Sequence, residues 1–370
     1  MTAPRGDLLT PLWRHPRQAP ELSVREWELV ISQARCARLL SRLAQHGADL
    51  GLVDRLPRGA WRHLDSELAV VARQRAAVHW EVDCITRALA HLDTPVVLLK
   101  GAAYLMADLP PARGRVFNDI DILVDRRQID AVESALMAAG WIAHERDAYN
   151  QRYYRTWMHE LPPLLHVARG SVIDVHHTIT PPTSRFAVDG ALLLQQVRPL
   201  HLGDRVTVLG PLDMVLHSAA HLFGEGEFDH GLRDLLDMDD LLRHFQVTEP
   251  EFWPQLLARS QELGLQVPLY HALVQVHRLF GTLPPAPLAA AFQSLQPNAV
   301  SRRAMGWALG RALQPIHPAC ASVETSLARF ALYVRSHWLR MPAHLVIRHL
   351  ARKAWMRWFP PKDPDPTLTV

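Results

Sequence analysis

The residues best suited to chemistry lie in Phe117-Asn118-Asp119-Ile120-Asp121-Ile122-Leu123-Val124. Two acids stand one residue apart in a run that is otherwise strongly β-forming. Side chains alternate along a strand, so Asp119 and Asp121 share one face while Ile120, Ile122 and Val124 point into a core. Adjacent like charges are unfavourable unless something positive neutralises them. A hard divalent cation with oxygen ligands is the usual partner, Mg²⁺ above all, with Mn²⁺ as the second choice. The strand therefore reads as a metal platform built on a DxD motif.

A third acid has the same logic. In Val172-Ile173-Asp174-Val175-His176, the apolar residues Ile173 and Val175 face inward and leave Asp174 and His176 on the other side. If this strand lies beside the acidic one, three carboxylates converge on an open face of the sheet. That is the arrangement of a phosphoryl-transfer site in which cations clamp the attacking and leaving oxygens. Leu98-Leu99-Lys100-Gly101 adds a buried strand that ends in Lys-Gly at a helix start, a place that favours phosphate. Lys100 is one of three lysines in a chain with 37 arginines. A compact ammonium kept there suggests a role that a planar guanidinium does not fill.

These residues need elements to hold them. Ser23-Val24-Arg25-Glu26 has capping-box spacing ahead of a helix through Trp27, Leu29, Val30, Cys36 and Leu39. A second helix runs from about Asp65 through Trp80 to Leu92, before Pro95. From Pro95 the pattern becomes short β runs alternating with helices. Val96 to Leu99 is a buried strand, Gly101 to Asp108 a short helix and Ile120 to Val124 the acidic strand. Asp125 caps a helix through Ile129, Val132, Leu136 and Met137 that stops at Gly140. Leu164 to Val167 and Val172 to His176 form a hairpin turning at Arg169-Gly170, and Val206 to Leu209 adds a strand. Pro211 opens a helix through His221, and helices with Pro-rich breaks near 284–287 and 315–318 follow. The expected organisation is a helical region over 1–94, an α/β core over 95–210 and a helical region over 211–370.

The bulk numbers exclude several classes. The hydrophobic fraction is 48% and the charged fraction 21%, which is ordinary for a globular protein. Charges at Arg5, Asp7, Arg14 and Arg17 interrupt any leader-like apolar stretch, and no run has membrane-spanning length, so the sequence predicts a cytoplasmic protein. Cys36, Cys84 and Cys320 lack CxxC spacing and read as buried small hydrophobes. Net charge is +3, yet residues 331–370 hold seven cations against two acids. Trp338, Trp355, Trp358 and Phe359 are interleaved there, so the 331–362 tail suits either weak contact with an anionic surface or packing as an amphipathic helix.

Lys100-Gly101, then Arg115-Val116-Phe117-Asn118-Asp119-Ile120-Asp121-Ile122-Leu123-Val124, then Ile173-Asp174-Val175-His176 together resemble the bacterial uncharacterised nucleotidyltransferase family. That family sits in the DNA polymerase β-like superfamily, and the resemblance spans roughly residues 20–250. It implies an α+β fold, a short mixed β-sheet with helices packed on it, flanked by N- and C-terminal helical regions. It also implies an NTP bound with Mg²⁺ and transfer of a nucleoside monophosphate with release of pyrophosphate. By this resemblance Asp119, Asp121 and Asp174 are the catalytic and metal-ligating residues. Asp174 also accepts a proton from the acceptor hydroxyl. Lys100, Gly101 and Arg115 lie by the triphosphate, with His176 counted among the nucleotide-binding residues. The acceptor is unidentified, with a small molecule, a protein side chain and an RNA end all open.

Gly101 is followed by Ala102 where the superfamily commonly has Gly-Gly or Gly-Ser, which removes a hydroxyl from the phosphate contact. That departure motivates an alternative, a catalytically silent nucleotide- or partner-binding module on the same fold. A DxD glycosyltransferase needs a nucleotide-sugar α/β half before its motif, and the helical N-terminus argues against it. His217 and His221, one helical turn apart without HExxH, read as packing histidines. Arg233 and Asp237 are spaced for an ion pair, and Asp234, Asp239 and Asp240 read as solvated charges.

Overall fold

The computed structural model describes residues 6–342, apart from 144, 146, 202–204, 227, 287–290 and 293–294. Four helices precede the first strand: α1 (Leu9–Arg14), α2 (Val24–Cys36), α3 (Leu40–Asp49) and α4 (Arg58–Ala88). The capping box forms as expected, with the Ser23 hydroxyl accepting from the Glu26 N–H and the Glu26 carboxylate accepting from the Ser23 N–H. The expected single helix to Leu39 is instead two. Arg38 adopts φ +53°, and the Leu39 N–H bonds the Ala34 carbonyl, a helix-ending geometry that closes α2 before α3 begins. The long helix starts at Arg58 rather than about Asp65, immediately after Pro57.

The sheet has seven strands: β1 (Val96–Leu98), β2 (Asp119–Leu123), β3 (Trp141–Ala143), β4 (Leu164–His166), β5 (Val172–His176), β6 (Val197–Pro199) and β7 (Val206–Leu209). Their spatial order is β3-β4-β5-β2-β1-β7-β6. β2 runs parallel to β5 and antiparallel to β1, and β1 runs parallel to β7, so the sheet is mixed. The hairpin of β4 and β5 turns where Gly170 adopts φ +68°, a conformation that favours glycine. β3 and β6 were not expected from the sequence; each has only three residues.

Between and after the strands run α5 (Lys100–Met106), α6 (Ile129–Ala138), α7 (Ala148–Trp157), α8 (Gly190–Leu194), α9 (Pro211–Glu225), α10 (Gly231–Thr248), α11 (Phe252–Glu262) and α12 (Gln266–Phe280). Helices Ala299–Ala312 and Val323–Arg340 follow. One hydrophobic cluster extends from Leu9 to Leu332 and takes in the inward residues of the central strands. The architecture is the expected α+β type. No described helix is long and apolar enough to cross a membrane. Of the cysteines only Cys320 is buried; Cys84 is half-buried and Cys36 exposed, because Cys36 lies on the outer side of α2 at its last turn. The tail residues after 342, among them Trp355, Trp358 and Phe359, lie outside the described residues, while Trp338 is half exposed on the last described helix.

β2 is the central support of the candidate site, and Ile122 is fully buried beneath it. Ile122→Ala is expected to lower unfolding stability by about 3 kcal/mol through lost transfer energy and the cavity left behind. Urea denaturation at constant m-value checks this.

Candidate functional site

Burial along β2 changes steeply on the face that carries the acids. Asp119 is exposed, Asp121 is 6% exposed and Leu123 is fully buried. The face is therefore open only at the start of β2, which lies beside the end of the antiparallel β1. At that end the chain leaves β1 through Lys100, which adopts φ +44° and places its Nζ 3.2 Å from Asp121 Oδ1. A left-handed backbone is uncommon for a residue with a side chain, and such strain concentrates at functional sites.

On the other side of β2, the parallel register sets Asp121 opposite Asp174 and Asp119 opposite Val172. The hairpin acid is thus a direct cross-strand neighbour of the DxD pair. His176, 1% exposed, donates its Nε2–H to Asp121 Oδ1 at 2.9 Å. Asp121 Oδ1 therefore has two partners, Lys100 and His176. Asp174 Oδ1 is buried and has no hydrogen-bond partner among the described residues.

The carboxyl groups respond differently to their surroundings. Burial alone would raise the Asp121 pKa, but Lys100 and the His176 hydrogen bond outweigh it and hold the group well below the usual carboxylate range. Asp174 has no such donor. Burial, followed by repulsion from Asp121 and Glu160, pushes it up to about 7. Asp119, exposed at its surface but closely flanked by protein, is also raised, first by partial desolvation and then by repulsion from Asp121. Burial works against protonation of His176, yet Glu160 and Asp121 on its two sides raise it above the ordinary imidazole value.

Asp119 and Asp121 open onto a cleft of about 320 Å³. Lys100, Gly101 and Arg115 also line it, and so do Arg38, Arg233 and Asp234 from the surrounding helices and loops. Asp174 and His176 lie beside Asp121 but are not among the lining residues. Gly101 sits at a close approach of side chains. A Cβ there would stand 3.1 Å from Arg115 Nε and 3.2 Å from Phe117 Cδ1. Arg115 is itself buried, which lowers its pKa to about 10, and it is ion-paired to Asp237. Asp237 also accepts from Arg42 at 2.5 Å, and Arg42 reaches Asp240 as well.

Residues 23–281 match the family model described as an uncharacterised nucleotidyltransferase. The chain belongs to that family. The match takes in every strand of the sheet and agrees with the resemblance carried by the sequence motifs. No curated protein and no solved structure matches the chain. Family membership supports nucleotidyl transfer as the general activity.

Several ion pairs in this nucleotidyltransferase-family chain differ from expectation. Arg233 pairs with the neighbouring Asp234 at 2.7 Å rather than with Asp237, because Asp237 is taken by two arginines from other elements. Asp239 is 4% exposed and paired to Arg243, and Asp240 is held by Arg42, so neither is a solvated charge. Asp234 lines the cleft between Arg233 and Arg115, which hold its pKa down against burial. His217 is buried and kept neutral by that burial, and His221 packs edge to face on it at 6.5 Å while lining the cleft.

Three residues near the site, Arg38, His159 and Glu160, escaped the sequence reading. Arg38 and Lys100 are two of the four described non-glycine residues with positive φ, and both are cations on the cleft wall. The available signal for Arg38 was a cation where a helix stop usually carries glycine. Glu160 and His159 precede β4 in Met158-His159-Glu160-Leu161, a segment without strand periodicity. An isolated bridge aligns Glu160 with His176 and sets the two side chains together.

Two outcomes follow from these geometries. Asp237→Ala leaves two buried guanidinium groups without their shared acceptor and is expected to cost about 3 kcal/mol, measured by chemical denaturation. In chelator-treated protein, the folded state keeps a proton on Asp174 between about pH 4 and 7 that the unfolded state has released. Its contribution to stability therefore falls as pH rises through that window. Asp174→Asn should match wild type near pH 4.5 and exceed it progressively up to pH 7.5 in thermal melts.

Proposed function

We propose that the protein transfers a nucleoside monophosphate from a divalent-metal-bound NTP to an acceptor group, with release of pyrophosphate. The observation that carries this reading is the β2–β5 register, which makes Asp174 the neighbour of Asp121 on the face shared with Asp119. The donor set is all oxygen, and the buried Asp174 Oδ1 lacks a hydrogen-bond partner, a combination that fits a hard cation such as Mg²⁺. Asp119, Asp121 and Asp174 would hold it, with Asp121 offering Oδ2 because Oδ1 faces Lys100 and His176.

Charge balance supports the same conclusion. The cleft lining has four cations, Arg38, Lys100, Arg115 and Arg233, against four acids, Asp119, Asp121, Asp234 and Asp237. With neutral histidines the sum is zero, whereas a nucleoside triphosphate brings about four negative charges. When bound, a divalent cation would supply about half of the missing positive charge at the phosphate oxygens. Lys100 and Arg38 stand on the wall where phosphate oxygens would be met, and Arg115 lends charge while Asp237 fixes its orientation. Gly101 leaves room for the Arg115 and Phe117 side chains at the cleft edge. Asp174 would also take the proton of the acceptor hydroxyl, through the carboxylate oxygen that does not face the cation. His176 acts as a positioning residue for Asp121 rather than as a contact to the nucleotide.

A metal-dependent pyrophosphate-release assay with each of the four NTPs and a cell extract as acceptor source tests the reading. Activity should appear with Mg²⁺ or Mn²⁺ and fall by at least about 10²-fold in Asp119→Asn and Asp121→Asn, as expected when charge stabilisation of the transferred group is removed. Pyrophosphate silence with nucleotide binding intact would favour the non-catalytic module instead. An unfolded Asp119→Asn/Asp121→Asn double variant would mean that the acids serve the fold.

A further inference from the structure

A second cluster lies deeper along the carboxylate face, beyond the lining of the cleft. It consists of His159, Glu160 and His176, whose ligand-capable atoms all fall within 4.8 Å of one another. Backbone pairing fixes them: the Leu161 N–H bonds the Val175 carbonyl at 2.9 Å, and the His177 N–H bonds the His159 carbonyl at 2.9 Å. Glu160 Oε2 stands 3.4 Å from His176 Nδ1 and 3.8 Å from His159 Nε2. Both rings are buried, and the Glu160 side chain is 19% exposed.

The geometry at His176 is informative. Its Nε2 is engaged by Asp121 Oδ1, and its Nδ1 is buried with no hydrogen bond despite a carboxylate at 3.4 Å. With the Nε2 proton directed at Asp121, Nδ1 faces the Glu160 carboxylate, a position that either a second ring proton or a cation can occupy. Ligands at about 2.1 Å from a four-coordinate ion stand roughly 3.4 Å apart, which is close to the two spacings that Glu160 makes, with the ring nitrogens within 4.8 Å of each other. Imidazole nitrogens with one carboxylate oxygen suit zinc and its transition-metal neighbours better than magnesium.

We propose that His159, Glu160 and His176 form a binding site for a transition-metal dication of the zinc class. His176 then joins the two sites, ligating through Nδ1 and directing Nε2–H to Asp121, the carboxylate–histidine–metal arrangement that fixes ring orientation. The dication orders Asp121 through His176, at a point separate from the nucleotide-side cation. This inference stands apart from the proposed reaction, since it depends on neither NTP nor acceptor.

The test uses the full-length protein stripped with chelator and then held in saturating Mg²⁺, so that the open carboxylates are occupied before Co²⁺ is added. The expected result is a visible ligand-field absorption that saturates near one equivalent of Co²⁺, with zinc competing it away and raising the melting temperature. The absorption should persist in Asp119→Asn and vanish in both His159→Gln and Glu160→Gln, with circular dichroism showing that the variants are folded. A spectrum no different from aqueous Co²⁺ overturns the proposal and leaves a proton between His176 and Glu160. Absorption that survives both His159→Gln and Glu160→Gln, or that is lost in Asp119→Asn, overturns it as well.

Discussion

Repulsion between carboxylates on neighbouring strands is the constraint on which the site depends. Adjacent strands lie about 4.8 Å apart, and two charged groups at that separation repel by roughly 3 kcal/mol at an effective dielectric near 20. The register of β2 and β5 imposes this closeness on Asp121 and Asp174, and the pleat adds Asp119. The protein resolves the conflict unevenly. Asp121 stays ionised between Lys100 and His176, while Asp119 and Asp174 are moved toward their neutral forms. A bound cation would remove the need for that compromise, so affinity for the cation and the protonation of Asp174 are linked.

The helices around the sheet take part in this electrostatic arrangement. Asp237 on α10 receives Arg42 from α3 and Arg115 from the segment before β2. One buried acid thereby ties together pieces of chain on both sides of the central sheet in sequence. Removing either arginine exposes the acid to an incomplete balance, and the cleft wall loses its fixed geometry. The N-terminal helices are thus coupled to the cleft by charge as well as by packing, through Arg42 on α3 and through Arg38 at the α2–α3 junction.

Local periodicity made much of the fold legible. The capping box at Ser23, the alternation in β2 and β5 and the proline that opens α9 are short-range signals, and the structure follows them. Asp125, by contrast, caps a short 3-10 turn over Arg126–Gln128, and α6 starts after it from an uncapped Gln128. The strand register that brings Asp174 to Asp121 needs the whole sheet and was available only as a condition. Ion pairing was less legible. Arg233 and Asp237 have ideal helical spacing, but Arg42 lies 195 residues from Asp237 in sequence, and such a partner leaves no local trace. The early end of α2 at an arginine, and the strands of three residues at β3 and β6, likewise depend on tertiary surroundings that override propensity.

The conformation of Arg38 has an evolutionary consequence. Its left-handed backbone closes a helix where glycine would be less strained, by roughly 1 kcal/mol. Selection for folding alone would drift toward glycine at that junction, and every such drift would strip a guanidinium from the rim of the cleft. A library of this chain sorted only for thermal robustness would therefore enrich sturdier scaffolds with a blunted site, and the trade-off would be visible at a position remote from the acids in the primary structure.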